Sequence, residues 1–103
     1  MTIQSTLLTT TTSNVFISDG NTATMTFYFS NYSTNADALF SLWAVKDGDL
    51  AGNVNVLYSN VLVQAGDTYV ADRERIFLDA NDSLQARANA NLRMSCTLTH
   101  VNI

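Results

Sequence analysis

Thr22-Ala23-Thr24-Met25-Thr26-Phe27-Tyr28-Phe29-Ser30 decides the fold class. Ala23, Met25, Phe27 and Phe29 fall on one side of an extended chain, with Thr22, Thr24, Thr26 and Tyr28 on the other. A period of two sustained this long is that of a half-buried β-strand, and β-branched and aromatic residues suit a pleated surface. Working outward, the same period returns at Leu92, Met94, Cys96 and Leu98, which alternate with Arg93, Ser95, Thr97 and Thr99. Leu39 to Val45 is apolar at nearly every position, so it reads as a central strand covered on both faces. Val54, Val56 and Tyr58 alternate and then give way to Val61 and Val63, a change of phase that a β-bulge at Ser59-Asn60 explains.

Shorter strands are predicted at Ser5 to Thr9, Asn14 to Ile17, Thr68 to Ala71, Arg75 to Leu78 and Ser83 to Ala88. Turn residues separate them: Asp19-Gly20, Asp47-Gly48, Gly52-Asn53, Gly66-Asp67 and Asn81-Asp82 are all places where positive φ or side-chain capping is cheap. The expectation is an all-β, antiparallel β-sandwich of about seven to nine short strands, immunoglobulin-like or jelly-roll. No stretch is read as helix; the alanines near Ala90 are interrupted by Asn89 and Asn91. The chain has no proline, so edge strands are protected by other means or used for pairing.

A length of 103 residues fits one domain. Residues 14–103 are expected to form the sandwich and residues 1–13 an extended N-terminal arm. In that arm Leu7, Leu8 and Thr9 are the candidate contacts with a neighbouring subunit, added along an open sheet edge. The second candidate interface is the charge run Asp72-Arg73-Glu74-Arg75, in which Arg73 or Arg75 reaches a carboxylate on the next copy. His100, near the C-terminus, is read as a sheet-edge or interface histidine.

Charged residues make up only 14% of the chain, where about 25% is usual, and threonine and asparagine supply the polarity instead. A neutral, hydrogen-bonding surface costs less to bury against a partner than a charged one. With net charge −4, a single lysine (Lys46) and four scattered arginines, the chain is not expected to bind nucleic acid or an anionic membrane. No apolar run approaches the roughly 20 residues of a membrane span. The first residues lack the basic and apolar regions of a signal peptide, so synthesis and folding in a reducing cytoplasm are expected.

No catalytic constellation is read from the sequence. His100 is the only histidine and Cys96 the only cysteine, too few for a zinc site. Four residues apart on one strand, they stand about 13 Å from each other, beyond the reach of a dyad. Asp47-Gly48-Asp49 reads as a hairpin turn before it reads as a calcium loop. Asp19, Asp37, Asp47, Asp49, Asp67, Asp79 and Asp82 all fall in predicted turns. No enzyme activity, cofactor or metal is therefore expected. Trp43, Phe40, Tyr28, Tyr32 and Tyr58 form a conceivable sugar platform, with Trp43 read first as a core tryptophan.

From Asn14 onward an ordered series of segments carries a resemblance. It runs through Ser13-Asn14-Val15-Phe16-Ile17, Thr24-Met25-Thr26-Phe27-Tyr28-Phe29-Ser30-Asn31 and Leu57-Tyr58-Ser59-Asn60-Val61. It continues in Val63-Gln64-Ala65-Gly66-Asp67-Thr68-Tyr69, Ile76-Phe77-Leu78 and Asp82-Ser83-Leu84-Gln85-Ala86. This pattern resembles a family of small virion proteins of tailed bacteriophages, especially those of cyanobacteria. The resemblance implies a structural role in capsid, neck, tail or fibre, with copies of itself and other virion proteins as partners and the virion as its location. It carries over no catalytic residue. A carbohydrate-binding module for host-surface glycans is the alternative expectation.

Overall fold

The described residues form nine strands: β1 (Thr2–Leu7), β2 (Ser13–Ile17), β3 (Thr22–Asn31), β4 (Ala38–Val45), β5 (Val56–Val63), β6 (Thr68–Ala71), β7 (Ile76–Leu78), β8 (Ser83–Ala88) and β9 (Met94–Asn102). The computed structural model describes residues 2–71, 76–89 and 94–102, the side chain of Met25 excepted. The Asp72–Arg75 run, with Arg73 and Arg75, lies outside the described residues, as do Leu92 and Arg93. Of the residues expected to turn the chain, Gly48 (φ 86°), Gly66 (75°) and Asn81 (68°) do so with positive φ, whereas Gly20 and Gly52 do not need it.

The strands make two antiparallel sheets, one ordered β1-β9-β3-β6 with β7 also on β3, the other β2-β8-β4-β5. The chain changes sheet at β1→β2, β2→β3, β3→β4, β5→β6, β7→β8 and β8→β9. An immunoglobulin domain keeps its first two strands side by side in one sheet. Here β1 and β2 lie in opposite sheets, and the winding is that of a jelly roll.

The inward faces share one core. Phe27 and Phe29 (β3), Phe40 and Leu42 (β4), Leu84, Ala86 and Ala88 (β8), and Met94, Cys96 and Leu98 (β9) are all buried in it. Across the sandwich the rings of Phe29 and Phe40 stack with centroids 3.8 Å apart and planes 7° from parallel. Ala88 stands opposite Phe40 and Ala86 opposite Leu42 in register, so small residues on β8 make room for large ones on β4. Tyr58 and Tyr69 close one flank, each tilted against Phe40.

Each end of the sandwich is sealed by polar groups that are themselves satisfied. Asn31, 1% exposed, donates from Nδ2 to the carbonyls of Ala36 (2.8 Å) and Val63 (3.0 Å), and its Oδ1 accepts from the Ser33 amide. Ser18 and Thr22 share a hydroxyl hydrogen bond of 3.0 Å, and the Ser18 backbone bonds both Asn81 and Asp82.

Two expectations of strand phase meet the structure differently. The bulge expected at Ser59-Asn60 is present: Phe40 pairs with Val61 and Leu42 with Tyr58, and Asn60 has φ 50°. Thr22 and Thr24 do not face solvent. Pairing of β3 with β9 shifts between Thr24 and Thr26, and this bulge turns both threonines inward, where they are fully buried. The Thr24 hydroxyl bonds the Ile76 carbonyl at 3.3 Å, which makes its burial affordable.

The N-terminal arm also needs correction. Residues 2–7 pair with β9 of the same chain over six consecutive positions, from Thr2↔His100 to Leu7↔Ser95. Leu8 donates its amide to Met94 in one sheet, and Thr9 accepts from Ala88 in the other. The segment is therefore a sandwich strand and its crossover, and no boundary falls at residue 13. The reason is physical: β9 would otherwise expose a nine-residue edge, and Leu8 fills a core position.

Candidate assembly surface

Alternation that buries one side of the five-stranded sheet displays the other. Three rows of paired residues cross its outer face: Leu7, Ser95, Ser30 and Thr68; then Ser5, Thr97, Tyr28 and Val70; then Ile3, Thr99 and Thr26. Hydroxyls pair between neighbouring strands, Ser5 with Thr97 and Ser30 with Thr68, each at 3.0 Å. Ile3, Leu7, Tyr28, Val70 and, on β7, Phe77 are all exposed. None of these residues carries a charge. Among the described residues of the nine strands, Arg87 on β8 is the only Asp, Glu, Lys or Arg.

The edges of the sheets differ as well. β2 is bulged between Asn14 and Phe16, and β5 is bulged against β4 in two places. On the opposite edge of the five-stranded sheet, the described residues of β6 and β7 pair with β3 over four and three positions. Among the described residues β1 has the longest uninterrupted register of any edge strand, six positions, with no charge and no proline. It lacks the devices that usually keep an edge from pairing.

The expected interface residues fall in different places. Leu7 is on this outer face, 47% exposed. Leu8 is wholly buried and belongs to the chain's own core, so it is not available to a neighbour's pocket. Thr9 is partly buried at the crossover between sheets. His100 is not at a sheet edge, because β9 lies between β1 and β3. Its ring faces inward at one end of the sandwich and packs on Phe16, with centroids 4.5 Å apart. The sequence reading missed Ser95, Thr97, Thr99, Tyr28 and Val70 as one surface. Their alternation was visible, but the register that gathers them was not.

Cys96 is buried, and desolvation pushes its thiol from 9.0 up to about 12, which keeps it protonated and unreactive. Among the described residues no group of three His, Cys, Asp or Glu side chains could hold a metal ion, and no helix is long and apolar enough to cross a membrane. Asp47, Asp49, Asp19, Asp37, Asp67, Asp79 and Asp82 all lie between strands. The Asp82 carboxylate is spent on the amides of Asp47 and Asp79.

The five aromatics do not gather into a platform. Phe40 is buried in the core and Tyr58 packs against it, whereas Tyr28 and Tyr32 are exposed on and beside β3. Trp43 is buried but not in the common core. It lies on the outer face of the four-stranded sheet, where the Arg87 guanidinium covers its ring at 5.7 Å. Compared with protein-family models, curated proteins and solved structures, the chain matches none.

Proposed function

We propose that the protein is a non-enzymatic accessory component of a bacteriophage particle, attached in multiple copies through its five-stranded sheet. Decoration or cementing of the capsid is the first choice of position, with neck, tail or baseplate next. The observation that carries this reading is the outer face of that sheet, broad, exposed and, among the described residues, free of charge, continuous with the uninterrupted register of β1. Burying neutral hydroxyls and isolated aliphatic groups avoids the desolvation cost of ionised side chains, and the hydroxyls can form new hydrogen bonds across a contact. The jelly-roll winding is common in capsid proteins and lectins, which supports the reading by analogy of fold only. The resemblance to small phage virion proteins supports it from the sequence side.

The test is quantitative mass spectrometry of purified particles, with and without Thr97→Lys. Stoichiometry matching the capsid lattice places the protein on the shell, and a small multiple of the tail symmetry places it on the axis. Thr97→Lys should deplete it from particles while leaving its fold intact. Absence of the protein from particles, or full retention of the lysine variant, would sink the proposal.

A further inference from the structure

Among the described residues Arg87 is the single charge on the strands, and it borders a cavity of about 220 Å³ on the outer face of the four-stranded sheet. Ser41, Asn60, Asn89, Leu39 and Ala88 line the same cavity. The guanidinium rests over Trp43, whose indole is 9% exposed. Stacking of this kind holds the guanidinium plane and leaves its N–H edge for a planar anion. Among the described residues no carboxylate forms an ion pair with it.

The neighbouring amides decide what such a cavity can hold. Asn89 Oδ1 accepts from the Leu39 amide at 2.9 Å. Asn60 Oδ1 accepts from the Ser41 hydroxyl at 3.5 Å, while that hydroxyl accepts from the Asn60 amide at 3.0 Å. Each carboxamide oxygen thus already accepts one hydrogen bond within the protein. The two NH2 groups and the guanidinium contribute donors only, beside the hydroxyls of Thr10 and Ser41 that also line the cavity, so donors predominate. A ligand rich in acceptors fits, and one guanidinium in the described lining of the cavity, in a chain of net charge −4, suits a monoanion better than a phosphate dianion. The cavity is wider than one carboxylate, and Leu39 and Ala88 add an apolar patch beside the donors.

We infer that the Arg87 cavity binds a sugar acid, a hexuronate unit of an acidic polysaccharide, with the carboxylate on Arg87 and ring oxygens on Asn60 and Asn89. The site faces away from the five-stranded sheet, so a copy seated through that sheet keeps it open. The inference does not depend on the particle and is tested on the isolated chain.

At constant ionic strength the protein is titrated with D-glucuronate, with D-glucose, and with N-acetyl-aspartate amide. Trp43 emission and the backbone amide shifts of Ser41, Asn60 and Asn89 are followed together. Saturable shifts with glucuronate are expected, with affinity at least about tenfold weaker for glucose and for Arg87→Gln. Arg87→Lys should recover only part of the loss, since a point charge does not reproduce the fork. Thermal melts of both variants check that the fold is kept. Three results would overturn the inference: no saturable shift with glucuronate, equal binding of glucose, or equal binding of N-acetyl-aspartate amide. The last would make the cavity a clasp for acidic peptides.

Discussion

The two faces of the five-stranded sheet are built by the same strands and the same period, yet they do different work. Inward, Phe27, Phe29, Cys96 and Leu98 join the common core. Outward, Thr26, Tyr28, Thr97 and Thr99 alternate with them in register. Antiparallel sheets with one solvated face commonly make that face polar; among the described residues, this one does so with hydroxyls and without charges. Stability should therefore reside in one face, and association in the other.

The inner face can be broken most severely at Phe29. Its ring stacks on Phe40 and is wholly buried, so Phe29→Ala should cost about 3–5 kcal/mol in urea unfolding. That is a large part of the stability of an ordinary small domain. A loss below about 1 kcal/mol would mean that the inter-sheet stack is not formed. Leu8→Ala comes next, at about 2–5 kcal/mol, because Leu8 is wholly buried. The value also sharpens the assignment of β1: a free arm would lose nothing on this substitution.

Polar closure of the sandwich ends is worth less. Asn31→Ala removes hydrogen bonds from two carbonyls and one amide and should cost about 1–3 kcal/mol in the same assay. Cys96 adds a pH dependence with a definite sign. Its thiol titrates at 9.0 unfolded and is pushed up to about 12 by burial. The stability from keeping it neutral is complete below the lower value and is lost as pH climbs towards the upper one. Between pH 9 and 11 the thermal midpoint of the parent should fall more steeply than that of Cys96→Ala; parallel curves would contradict the burial. Outer-face changes such as Thr97→Lys should shift stability by no more than about 0.5 kcal/mol.

Much of the interior was legible because period and turn chemistry are local. Thr68–Ala71 and Ser83–Ala88 have the expected limits, and the phase change near Tyr58 announced its bulge. The Thr22 and Thr24 phase was hidden because the bulge after Thr24 comes from pairing with β9, more than seventy residues along the chain. Pairing also hid the fate of the N-terminus: nothing within residues 2–12 says that β9 is waiting as a partner. The candidate surface is nonlocal for the same reason. Ser5, Thr97, Tyr28 and Val70 form a row only once four strands are in register. Arg87 did carry a signal in the sequence, a lone charge within an otherwise neutral strand pattern, and its meaning required Trp43 beneath it.

The central claim is that the five-stranded sheet is the attachment surface. Hydrogen exchange, compared between the free protein and the same protein on the particle, tests it most directly. The account predicts slowed exchange on attachment at Thr2–Leu7, the open edge, with the amides of β5, on the far sheet, unchanged. Protection confined to β2, β8, β4 and β5, with Thr2–Leu7 exchanging as in the free protein, would contradict it.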